Sequence, residues 1–163
     1  MAHPFRSPLR RLSGAIAVLA CLAPLHAFAT LGGDEASIEA DRVAMSGTAG
    51  TPAPAAAYTV KTFTLPSTTV IREYLGASGV VFAVAWEGPA MPDLKQLLGN
   101  THFDAVDSGA RSRNREGRRG PMELRPADAS GMVFDSTGHM RAFAGRAYLT
   151  PQLPAGVDTD AIR

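Results

Sequence analysis

Residues 80–87 (VVFAVAWE) carry the clearest two-residue periodicity in the chain. Val80, Phe82, Val84 and Trp86 fall on one side, and Val81, Ala83, Ala85 and Glu87 on the other. Large residues on one face and small ones on the opposite face predict a central strand. A helix or chain segment is expected close beneath the small face. Two strands are predicted before it. Residues 58–65 (YTVKTFTL) are rich in β-branched and aromatic side chains, and their alternation breaks between Val60 and Phe63, which predicts a bulge or twist. Residues 69–75 form the second, set between a Pro66-Ser67 turn and a tight turn at 76–79 (GASG). Later, residues 132–135 predict a short strand, Ser136-Thr137-Gly138 a turn, and residues 139–149 (HMRAFAGRAYL) a long final strand. Pro151 and Pro154 keep the tail out of regular elements.

Helical patterning is confined to two places. Residues 34–45 (DEASIEADRVAM) predict a helix with Asp34 as N-cap and Glu35 at the positive end of the dipole. Its apolar stripe (Ile38, Val43, Met45) is incomplete. Residues 92–98 (PDLKQLL) predict a short helix with Pro92 in its first turn. Leu94, Leu97 and Leu98 share one side, and Gly99 suits a left-handed terminator. Residues 46–57 (SGTAGTPAPAAA) read as a flexible connector, and residues 104–121 as an Arg-rich loop. The expected fold is a single small α+β domain at 30–163. It has an antiparallel sheet of about five strands and two short helices on one face.

The first 29 residues read differently. Arg6, Arg10 and Arg11 precede an uncharged apolar run at 12–22, and Ala27-Phe28-Ala29 places small residues where a signal peptidase reads. This is the layout of a secretory signal peptide cut between Ala29 and Thr30. The run is shorter than the roughly 20 residues that span a bilayer. A lipobox reading around Cys21 meets a bulky Leu19, and a twin-arginine reading meets Ser13 and Gly14 where apolar residues are expected. Ordinary export to the periplasm or beyond is the expectation.

Removing the leader changes the chemistry. Taking three arginines from 16 basic residues leaves 13 against 15 acidic ones, so the formal charge moves from +1 to −2. Cys21, the single cysteine, leaves as well, and with it any disulfide or thiolate chemistry. The remaining basic charge is segregated: Arg111, Arg113, Arg115, Arg118, Arg119 and Arg125 lie within 15 residues. Arginine forks suit phosphates and carboxylates, which makes Arg111, Arg113, Arg115, Arg118 and Arg119 a candidate arm for an anionic glycan or lipid. Residues 104–121 hold no aromatic side chain to stack bases, which argues against nucleic acid. The bland alternative is a solvated segment in an arginine-biased chain.

Catalytic signals are sparse. His102 and His139 lie far apart, and neither has a ligand at helical spacing, so no metal or other cofactor is expected. Met140 beside His139 raises a copper reading that a core-filling methionine explains equally. Residues 76–80 (GASGV) lack the final glycine of a nucleophile elbow. Asp135, Ser136 and His139 are too crowded in sequence for triad geometry. Trp86, in register with Val84, reads as core. Arg141 and Arg146 fall on opposite faces of a regular last strand, which places one of them to pair with Glu73 or Glu87 across the sheet.

Three segments then stand out together: ATLGG at 29–33, VFAVAWEGPAMPDLKQLLG at 81–99, and GHMRAFAGRAYL with LPAGV across 138–157. In these the chain resembles a proteobacterial family of exported proteins known as domain of unknown function 2844. The resemblance covers nearly all of the chain after the leader. It implies export and one-domain organisation, and it brings no activity, substrate or site residue. The Arg-rich stretch lies between the matching segments, like a variable insert. The function expected is that of an exported envelope protein acting as a non-enzymatic binding or assembly module. Its partner would be an envelope protein or an anionic glycan or lipid. The alternative is an envelope hydrolase using His102 or His139.

Overall fold

Helix α1 (Glu35–Ala44) begins where the sequence places its cap: the Asp34 carboxylate accepts the Ser37 N–H at 3.0 Å. The computed structural model describes residues 31–126 and 129–163. The expected leader, with Cys21 and the expected cleavage pair Ala29 and Thr30, lies outside the described residues. After α1 come β1 (Thr48–Ala49), β2 (Ala53–Pro54), β3 (Tyr58–Thr64), β4 (Val70–Gly76) and β5 (Val81–Gly88). Helix α2 (Leu94–Arg115) follows, then β6 (Met122–Leu124), β7 (Met132–His139) and β8 (Ala142–Leu149). The strands form one antiparallel sheet in the order β1-β3-β4-β5-β8-β7-β6, with β2 also paired to β3.

The α+β class and the antiparallel pairing are as expected, with eight strands among the described residues in place of about five. Three of the additional strands are very short. β1 and β2 hold two residues each inside the expected connector, and β6 holds three. Such segments carry too few residues to show an alternation.

Both faces of the sheet are covered, by different means. On one face, Leu97, Leu98 and Val106 of α2 pack with Phe63, Ile71, Val84, Trp86 and Phe134. On the other, Leu153, Val157 and Ile162 of the C-terminal tail pack with Tyr74, Phe82, Ala83 and Ala85. The small residues of β5 therefore lie beneath a chain segment, one of the two expected solutions. Two short 3₁₀ turns, Thr150–Gln152 and Thr159–Ala161, shape that tail despite its prolines.

The irregularity expected in residues 58–65 occurs elsewhere. β3 pairs with β4 without interruption from Tyr58↔Gly76 to Thr64↔Val70. Val60 and Phe63 serve different faces, both buried against something, so the broken alternation needs no bulge. The register shift lies between β4 and β5, where Tyr74 opposes Ala83 and Leu75 opposes Val81. Phe82 is the additional residue, and it joins Ala83 and Ala85 on the tail face, not Val84 and Trp86.

Further expectations are corrected. The Arg-rich stretch is a loop only beyond Arg115, because α2 runs to that residue. Gly99 does take the left-handed backbone of a terminator (φ 71°, ψ 167°), but the helix resumes beyond it. A narrow stripe suffices to hold the second half: Phe103 and Val106 join the core, and Gly109 sits so close to Leu124 that a Cβ there would meet it at 2.9 Å. The last hairpin also turns later than Ser136-Thr137-Gly138. β7 continues through His139, and the reversal falls at Met140 and Arg141, which hold φ of 21° and 68°. Arg141 is thus a turn residue and faces neither Glu73 nor Glu87.

Candidate functional site

Asp41 and Glu73 are both charged residues in sequence, and both are sealed inside, with exposures of 1% and 3%. α1 brings Asp41 down onto the sheet. β4 brings Glu73 up on the face it shares with Ile71. The two carboxyls hydrogen-bond to one another. From α2, the Gln96 side-chain amide donates to Asp41 at 2.6 Å. Burial pushes the Asp41 carboxyl up to about 6, against the opposing pull of hydrogen bonds from Gln96 and Glu73. Burial, then the Asp41 charge and the bond to it, raise Glu73 well above the usual carboxylate range. Of the two carboxyls Glu73 is therefore the one that holds on to the proton and donates it to Asp41. Sequence patterning missed this pair, because each acid sits at an ordinary polar position of its own element.

The tail face carries an open cleft of about 300 Å³. Ala144, Gly145 and Thr137 of the last hairpin form its floor, and Ile162 and Arg163 of the tail form one wall. Across this face one register row reads Thr62, Arg72, Ala85, Arg146, Asp135, Glu123. Asp135 accepts from Arg146 Nε at 3.1 Å and from Arg125 Nη1 at 2.9 Å. Arg146 Nη1 donates to the Thr159 carbonyl at 2.7 Å, and its guanidinium lies 5.9 Å from the Tyr148 ring centre. Arg146 therefore pairs with Asp135, not with Glu73 or Glu87. Glu73 is taken by Asp41, and Glu87 stands 4.0 Å from Arg72. The Tyr74 hydroxyl both donates to and accepts from the Arg163 backbone at 3.0 Å, which fixes the end of the tail.

The five arginines of the expected arm occupy the end of α2 and the turn after it. Cations there complement the helix dipole. Arg111 pairs with Asp107, and Arg118 lies 3.7 Å from Glu116. Arg113 donates to the Pro121 carbonyl at 2.8 Å and so closes the turn into β6. Arg115 and Arg119 are exposed and have no side-chain partner among the described residues. His102 lies in α2 and His139 at the exposed end of β7, so the fold places the two histidines on separate elements. Trp86 is buried at 1% exposure, with its ring centre 5.7 Å from that of Phe134, in keeping with the core reading. Among the described residues, no group of three or more His, Cys, Asp or Glu side chains could hold a metal ion. None of the described helices is long and apolar enough to cross a membrane.

The architecture is thus that of a small α+β module whose sheet is covered by helices on one face and by its own C-terminal segment on the other. The family described as "Protein of unknown function (DUF2844)" matches residues 27–162, and the chain belongs to it. No curated protein and no solved structure matches the chain.

Proposed function

We propose that the chain is an exported envelope protein, cut between Ala29 and Thr30, which acts by binding or assembly. The observation that carries the binding reading is the state of the charged groups around the tail-face cleft. The one carboxylate of Asp135 is shared between Arg146 and Arg125, and the Thr159 carbonyl holds Arg146 further. A cleft furnished in this way offers shape and paired charge to a partner. Catalysis by general acid or base would instead want a group held ready for proton transfer. The partner is another envelope component. Arg111, Arg115, Arg118 and Arg119, at the exposed end of α2, are the side chains that an anionic glycan or lipid headgroup would meet.

Two measurements test the two halves of this reading. Cell fractionation with N-terminal sequencing should find the protein outside the inner membrane, starting at Thr30. An uncut chain in the cytoplasm removes the export half. Affinity capture from envelope extract is then compared between the wild type and a chain with Arg111, Arg115, Arg118 and Arg119 changed to Gln. Loss of the captured component, in that variant and in high salt, supports the anionic partner, since exposed charge pairs are screened by salt. Capture that survives both excludes it. A hydrolytic activity on envelope material that His102→Ala or His139→Ala abolishes would replace the binding reading altogether.

A further inference from the structure

The Asp41–Glu73 contact and the Gln96 amide that reaches it join three elements. Asp41 lies on the buried side of α1, Glu73 stands in β4, and Gln96 reaches the pair from the first turn of α2. The remaining charged groups around it are accounted for. Asp93, the N-cap of α2, is close enough to disfavour the Asp41 anion. Lys61 stands beside Glu73 across the β3–β4 register, but its ammonium is taken by Glu35 at the start of α1. On β5 the register neighbour of Glu73 is Val84, which carries no charge. Among the described residues no cation bonds to either carboxyl, and a single shared proton spares the site two facing anions.

We propose that Asp41 and Glu73 form a proton-held latch that fixes α1 against the sheet, and that loss of the shared proton loosens α1 from the fold. With the proton in place, Glu73 donates, and Asp41 accepts from both Glu73 and Gln96. Without it, two carboxylates face each other in a site that water does not reach, and no donor separates them. α1 is the element able to give way. It holds Ile38 in the interior, but its outer side carries Val43 at 61% exposure and the surface pairs Arg42–Glu39 and Lys61–Glu35. β4, by contrast, is fixed between two strands along its length. A loosened α1 uncovers Glu73 and Ile38, and so presents a new patch on the helix-covered face.

The test is hydrogen exchange of the purified full-length protein between pH 6 and pH 8.5, corrected for the intrinsic base dependence of exchange. Above about pH 6 Asp41 is ionised, and wherever Glu73 keeps its proton the closed state holds one more proton than the open state. The opening equilibrium of residues 35–44 should therefore rise with pH, by up to about tenfold per pH unit. Glu73→Gln keeps a donor toward Asp41 and has no proton to lose, so its opening should be flat over this range. Asp41→Asn removes the facing carboxylate and with it part of what raises Glu73, so its opening should rise less steeply with pH than that of the wild type. Three outcomes overturn the latch: a flat wild type, an unchanged slope in Glu73→Gln, or opening of α1 only together with β4 and β5.

Discussion

The indole of Trp86 lies directly over Gly145, its register partner on β8. A Cβ at position 145 would come within 2.2 Å of Trp86 Cζ2. Glycine is required here by the space the ring occupies. Gly145→Ala should therefore destabilise the protein by about 1–3 kcal/mol, the usual cost of overpacking a tight core. Urea denaturation followed by Trp86 fluorescence reads it directly. Gly79→Ala makes a contrasting control, since no atom lies near that glycine and its cost comes only from a φ of 79°.

The buried acids set the pH dependence of global stability. Both carboxyls are raised in the fold, so the folded protein holds protons that the unfolded chain releases near pH 4. Stability is accordingly greatest on the acid side of this window and falls as pH rises through about 6 and beyond. The Asp41 shift from 3.8 to about 6 alone corresponds to about 3 kcal/mol. Urea midpoints measured from pH 4.5 to 8 should decline for the wild type, and decline less for Glu73→Gln.

Arg146 holds the tail through partners of unequal weight. Arg146→Met keeps the aliphatic stem but removes the bonds to Asp135 and Thr159, and should cost about 1–3 kcal/mol. The same change should increase hydrogen exchange across residues 153–162. Asp160→Ala removes a partner 3.8 Å away that is 87% exposed, and should fall within ~0.5 kcal/mol of wild type.

The arginines at the end of α2 separate in the same way. Arg113→Gln removes the donor to the Pro121 carbonyl and should lower stability by about 1 kcal/mol. Arg115→Gln and Arg119→Gln should lie within ~0.5 kcal/mol of wild type, because both side chains are exposed and make no side-chain contact among the described residues. Thermal denaturation of the three single variants tests the distinction, apart from any binding role.

The parts of the fold written in local pattern were legible. β3, β4 and β5 announce themselves by β-branched and aromatic runs, and α1 by its Asp34 cap. The second half of α2 was not, because it contacts the core through only a few side chains after Gly99 and is otherwise polar. The β7–β8 turn was placed at Ser136-Thr137-Gly138 by turn chemistry. The pairing of Thr137, Gly138 and His139 with Ala144, Phe143 and Ala142 instead carries both strands further, and forces Met140 and Arg141 into positive φ. The acid pair was invisible for a different reason. Asp41 and Glu73 are 32 positions apart, and nothing local marks either as buried. Only the packing of α1 on β4 brings them together.

The tail also sets an order of events in folding. Tyr74 and Arg163 are 89 positions apart, and Ile162 completes the cover over Ala83 and Ala85. Contacts this distant in sequence form slowly, because a long stretch of chain must first close on itself. β4 and β5 can pair early through their short turn, but one side of that pair stays open until residues 153–163 have been made and have folded back. A chain interrupted before them holds a half-covered sheet, with Tyr74 and Phe82 open to water and to whatever else is at hand to bind them.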